Sequence, residues 1–538
     1  MRDEARIRAL LSCQAFLSVS MAFILMSAPL LMTGQRVASE RYRQIVLEIQ
    51  KHIGEQDFPG ALALLTKAKV AFPSDGGIDN LLGVVEIQQG HRDEAARAFS
   101  AAIEHSPKLA GAYLNLGRIY MEKAADDAKD REAGLAVYEK LLRLEPNNSE
   151  ANFQLAMLLM WDGKYQRSLD HLAKLPAEEQ GQIGAEVVAC GDEAALGHKE
   201  AADKAAVALV ANADLTEQDA MEVLPALRVA HRADLIDSIF SAVKDRGQLS
   251  TNGLRILGLA QEGEGKLDAA RATLEAVFAA SPKPVVVLVD LTRVAKAAGD
   301  YQGALGYLAH ARDLSPKDAS LPYEFGVICL RLSLLGEARK AMEEAVKLSP
   351  ENADYNLGMG TVSSFAQDPT GAIPYLEKAH ALRPGDPVPV LMLGTTYFRA
   401  KNFEAAGKWL TQAAGDPRTA AEAHGYLGRI ARQEGRLDDA AKELTLANNL
   451  APDRADVLAE LGQVSIARKQ FGEAQGFLDR AVKIDPENYL ANFALLQLYA
   501  RTADPRRDEQ SKRFDTIKDK SEEQYRDMMR IINIRPAN

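Results

Sequence analysis

From Tyr42 almost to the end of the chain, apolar residues recur three and four apart in stretches of about a dozen residues, split by short polar turns. Two stretches make one unit, and the unit returns every 34 residues. A glycine closes its first half, an alanine opens the second, a large apolar residue follows, and a proline ends it. In the copy from Ala421 these are Leu427-Gly428, Ala440, Leu444, Ala447 and Pro452. In the copy from Ala455 they are Leu461-Gly462, Ala474, Leu478, Ala481 and Pro486. Turns such as Glu264-Gly265-Lys266 and Gln433-Glu434-Gly435 divide the halves. The proline stops the second helix because it cannot extend the hydrogen-bond ladder and restrains the residue before it. The pattern predicts helix pairs stacked in one line, each touching only its neighbours, an architecture far more suited to binding than to catalysis.

Units begin near positions 42, 76, 110, 149, 183, 217, 251, 285, 319, 353, 387, 421, 455 and 489, with one polar five-residue insertion around 124–130 expected between two helices. Further copies read Leu82-Gly83, Ala95, Phe99, Ala102, Pro107; Leu257-Gly258, Ala270, Leu274, Pro282; and Phe325-Gly326, Ala338, Met342, Ala345, Pro350. The units from 183 and 217 lack the glycine and the final proline, although Ile236, Phe240 and Val243 keep the inward spacing. The unit from 387 keeps Leu393-Gly394, Ala406 and Leu410, but Pro417 comes one place early. In the last unit Asp508, Lys512 and Asp515 stand at formerly apolar positions, as suits a terminal cap with a wet outer side. Phe514, Ile517, Tyr525, Met528, Met529 and Ile532 still form a rough helical stripe.

These residues resemble the tetratricopeptide repeat family over about residues 42–522. The resemblance implies an all-α fold, a right-handed superhelical solenoid of helix-turn-helix repeats. The organisation expected is a signal peptide or N-terminal membrane anchor at 1–38, about fourteen 34-residue units at 42–522, and a C-terminal capping segment at 523–538. The N-terminal expectation rests on residues 9–32, which are uncharged and mostly apolar, with Arg2, Arg6 and Arg8 before them and Thr33-Gly34 after. Arg36, Arg41 and Arg43 balance the leading arginines, so orientation stays open. The expected location is secreted or periplasmic, or membrane-anchored and extracytoplasmic.

Charged residues make up 26% of the 538 and aromatics 6%, and the net charge of −11 argues against a nucleic-acid binder. Cys190 and Cys329 lie four units apart, too far for a disulfide, and read as buried small residues; Cys13 falls in the apolar N-terminal run. No metal-ligand spacing, nucleophile motif, phosphate loop or dinucleotide fingerprint occurs, so the sequence implies no enzyme, cofactor or metal.

Where the resemblance implies a concave groove lined by first helices, unit positions 5, 9, 12 and 13 hold Arg118, Arg228, Arg255, Arg293, Lys296, Arg331, Arg399, Arg429, Arg432 and Arg501, against only Glu122 and Glu262. Arginines there would hold carboxylates by paired hydrogen bonds, pointing to acidic or C-terminal peptide segments. The same arginines also read as solvated residues of good helix propensity. Phe153, Met157, Met160 and Trp161 form a second, apolar patch, open either to a partner or to core packing. The Lys/Asn pair with which some family members clamp a C-terminal carboxylate is missing at positions 5 and 9. The expected function is a non-catalytic scaffold binding protein segments in the cell envelope, or an assembly or accessory factor for an envelope complex or a separate enzyme.

Overall fold

The computed structural model describes the backbone of residues 33–532 except 126 and 282–283, and the side chains within 40–520. The apolar segment 9–32 lies outside the described residues, as do the side chains of Tyr525, Met528, Met529 and Ile532. The chain divides into two compact bodies, Met1–Ala280 and Ser281–Asn538. Both are all-α solenoids of helix pairs, with no strand among the described residues.

In the first body the pairs are Thr33–Gly54 with Phe58–Ala71, Gly76–Gln88 with Arg92–His105, Ala110–Ala124 with Ala128–Leu144, and Ser149–Trp161 with Tyr165–Leu172. After the short helix Ala177–Gln180 come Ile183–Ala195 with Lys199–Ala211, Glu217–Val229 with Ala233–Asp245, and Thr251–Gly263 with Leu267–Ala280. In the second body they are Pro284–Ala297 with Tyr301–Leu314, Ser320–Arg331 with Leu335–Leu348, Ala353–Phe365 with Pro369–Leu382, and Pro387–Arg399 with Phe403–Ala413. Ala420–Gln433 with Leu437–Leu450, Ala455–Ala467 with Phe471–Ile484, and Tyr489–Thr502 with Arg507–Ile532 complete it. Among the described residues no helix is long and apolar enough to cross a membrane.

The recurring glycine and large residue meet inside each pair. A Cβ on Gly83 would lie 2.5 Å from the Phe99 ring, on Gly117 2.4 Å from Tyr138, and on Gly462 2.4 Å from Leu478. The missing side chain is what lets the two helices close, and the large residue fills the seam. Ala440, Leu444 and Ala447 are fully buried, as are Ala474, Leu478 and Ala481. The pair from 183 reaches the same closure by a volume exchange: Cys190 takes the glycine position and Ala206 the large one, and both are buried. Phe240 and Val243 are fully buried and Ile236 nearly so, so the pair from 217 packs without the glycine or the proline.

Between pairs, asparagines secure the proline turn. Asn152, Asn356 and Asn492 donate Nδ2 to the carbonyl oxygens of Pro146, Pro350 and Pro486 at 3.0, 2.9 and 3.2 Å. Each also donates to the carbonyl of the helix-capping asparagine four residues earlier. Around 124–130 the flanking helices run to Ala124 and from Ala128, so the expected insertion between them is mostly taken up by helix. Arg92 of the preceding pair holds them, bonding the Ile119 carbonyl at 2.6 Å, Asp130 at 2.9 Å and Glu122 at 3.2 Å. In the last helix Asp508, Lys512 and Asp515 are exposed, while Phe514 and Ile517 pack inward. Gln510 is buried against Asn492, with Nε2 at 3.0 Å from its carbonyl oxygen.

Candidate interaction surface of the first helices

The first helices of consecutive pairs lie side by side, so their free faces form the surface on which a partner can act. Much of the arginine excess there is neutralised from the next pair. Arg118 forms a two-pronged bond to Glu150 at 2.7 and 2.8 Å. Arg429 lies 3.2 Å from Asp456 and 3.1 Å from Glu460, and Arg432 2.8 Å from Glu460. Lys296 pairs with Glu324 at 2.9 Å. These links follow one rule: a cation at unit position 9 meets a carboxylate at position 2 of the following unit, and one at position 12 meets a carboxylate at position 6. The acids sit outside positions 5, 9, 12 and 13, which is why a count restricted to those positions shows an imbalance.

Glu460 is buried and held by two guanidiniums, so this triad is part of the stack. Charge reversal at Arg429 therefore places three carboxylates together and disturbs the array before it reports on a ligand. Burial raises the Asp456 pKa, but the hydrogen bond from Arg454 and the charges of Arg454 and Arg429 outweigh it and leave the pKa lowered. Glu122 shifts the other way: burial dominates over the charge of Arg92 and raises its pKa.

The remaining arginines differ. Arg293 lies 3.5 Å from Asp290, and both it and Arg255 make further interactions within the chain. Arg228 and Arg501 are exposed. The Arg331 guanidinium lies over the Tyr301 ring at 4.8 Å, and that of Arg399 over Phe365 at 4.9 Å. The candidates thus occur in both bodies and form no single cluster.

The apolar patch resolves into core and rim. Met157 and Met160 are buried with Leu172, Leu175, Ala185 and Val188. Phe153 and Trp161 are half-buried against that cluster, and the Phe153 ring covers Gly184. The methionines therefore fill the seam to the next pair, so of the two readings core packing holds for Met157 and Met160, while Phe153 and Trp161 keep a partly open face.

A different apolar surface lies in the second body. Val286, Val289, Val327, Phe365 and Val388 are exposed by 43, 41, 37, 49 and 40%. They occupy the first helices of four consecutive pairs. Val286, Val289 and Arg293 share one helical face by their spacing. The signal was present in the sequence, but valines at helical spacing read equally well as core. A separate cleft of about 340 Å³, lined by Lys442, Leu461, Arg468, Glu473 and Phe477 among others, involves second helices of the array. Among the described residues no group of three or more His, Cys, Asp and Glu side chains could hold a metal ion.

Two models of the tetratricopeptide repeat match this chain, one over residues 127–186, 366–430 and 431–505, the other over 80–128 and 289–353. Together they cover more than half of it. Among curated proteins, it is 27% identical over 233 residues to the RNA polymerase-associated protein CTR9 of Caenorhabditis elegans, across 42% of this chain and 20% of that protein. It is 28% identical over 117 residues to human Tetratricopeptide repeat protein 13, across 21% of this chain and 14% of that protein. The chain thus aligns with a fifth or less of the length of these relatives. A solved tetratricopeptide repeat protein from Parabacteroides merdae aligns with a TM-score of 0.41 and 14% identity, covering 46% of this chain and 98% of its own.

Proposed function

We propose that this chain, which belongs to the tetratricopeptide repeat family, is a non-catalytic scaffold that binds extended protein segments on the first helices of its second body. The observation that carries this reading is the run of exposed apolar residues from Val286 to Val388 on four successive first helices. Exposed apolar residues that recur on successive first helices are what a protein partner covers, whereas apolar residues exposed singly need no explanation. The uncharged segment 9–32 supports a place in the cell envelope, with the N-terminus serving as export signal or anchor.

The experiment is capture of native partners by the full chain and by a Val289→Glu/Val327→Glu variant. Both positions are already exposed, so the fold is retained and circular dichroism checks that. The expected result is at least a tenfold loss of the partners specific to the unmodified chain. Full retention would contradict binding on this face and favour an assembly role for the outer surface.

A further inference from the structure

Three consecutive pairs end their first helices with Arg331, Phe365 and Arg399, spaced 34 residues apart. All three side chains are exposed. Each arginine reaches back to the preceding pair and lies on an aromatic ring, Arg331 on Tyr301 and Arg399 on Phe365. Arg399 also donates to the Ser364 carbonyl at 3.3 Å. Four successive pairs therefore present ring, cation, ring and cation in order. A guanidinium stacked by its face is held in place while its N–H edge stays available for a carboxylate.

Neither Arg331 nor Arg399 has a carboxylate within 4.0 Å among the described residues. Acids within a few residues of the row in sequence have other partners: Asp368 lies 3.4 Å from Arg339, Glu337 3.0 Å from Lys340, and Glu404 3.0 Å from Lys408. Lys401, exposed in the turn after Arg399, adds a further positive charge. In a chain of net charge −11, Arg331 and Arg399 thus carry no direct ion pair among the described residues, the reverse of the paired ladder at Arg118 and Arg429.

The geometry points to this row as a docking site for an extended peptide in which two acidic residues flank an apolar one. Neighbouring helices pack about 8–10 Å apart, so two pairs separate the arginines by roughly 20 Å. An extended chain covers that distance in about six residues. One carboxylate then meets each guanidinium edge-on, and an apolar residue two or four places after the first acid, on the same face of the extended chain, meets the open side of Phe365. The inference rests on the reading of the first-helix face as the binding surface, and it names the chemistry of the segment bound there.

The probe is a twelve-residue Gly/Ser peptide with glutamate at its fourth and tenth positions and leucine at its sixth, which share one face of an extended chain, fluorescently labelled and titrated with the full chain. The expected result is saturable binding that weakens at least tenfold in Arg331→Glu/Arg399→Glu. Binding weakens similarly when both glutamates become glutamine, and it falls with rising salt. Lys67→Glu, an exposed cation on a second helix of the first body, leaves it unchanged. No binding, equal binding of the glutamine peptide, or full binding by the double variant overturns the site. Panning the full chain against a displayed random peptide library separates the two levels of the argument. Enriched peptides without acids, released by Val289→Glu/Val327→Glu, overturn this site and keep the scaffold reading. No enriched peptide at all overturns both.

Discussion

Asp192→Val raises the stability of the first body, and the gain grows as pH rises from about 4 to about 8. Asp192 is completely buried, and neither of its carboxylate oxygens has a hydrogen-bond partner. The Ser168 hydroxyl donates instead to the Ala156 carbonyl at 2.7 Å. Other pairs hold Val85, Ile119, Leu158, Val294, Val362 or Val464 at this unit position. Burial pushes the Asp192 carboxyl up to about 8 from 3.8. Between those values the unfolded chain is ionised while the folded chain keeps the proton. Stability therefore falls by about 1.4 kcal/mol per pH unit, a loss on the order of 5 kcal/mol across the window. Above about 8 both states are ionised and the slope vanishes. In a linear array the loss concentrates at the local interface, here between Ser149–Trp161 and Ile183–Ala195. Amide hydrogen exchange of these helices at pH 5, 7 and 9 is the measurement. A flat profile in the unmodified chain, or a valine variant less protected at pH 8, would contradict the burial argument.

Gly117→Val destabilises the third pair by about 3 kcal/mol, the upper range for overpacking a filled core. A Cβ at this position already lies 2.4 Å from the Tyr138 ring, and Tyr138 is fully buried, so the ring has nowhere to retreat. The cost is specific to that seam. In a Tyr138→Ala background the valine enters vacated space and costs less than about 1 kcal/mol, a coupling that a double-mutant cycle in urea reads directly. Additive effects of the two substitutions would mean that the glycine matters through backbone freedom alone.

Much of the helix pairing was legible because period and closure are local. Gly428 and Leu444 lie within one unit, and their spacing alone implies that they meet. The surface was less legible because its electrostatics join different units. Nothing in the unit holding Arg118 shows that Glu150 of the next unit engages it. Arg331 and Arg429 look alike in sequence, yet one lies on a ring and the other sits between two carboxylates. Met157 and Met160 were ambiguous for a related reason: a first helix presents one flank to solvent and the other to its neighbour, and residue type does not distinguish them.

On the proposed function, partners meet this protein on the first helices of the second body. A photo-crosslinking residue placed at Val327 or Val289, compared with Val70 or Val207 on second helices of the first body, tests it most directly. The controls are the more exposed sites, at 83 and 70% against 37 and 41%, so chance collisions favour them. Discrete crosslinked partners are expected from Val289 and Val327 and none from Val70 and Val207. Discrete products only from Val70 or Val207 would contradict it.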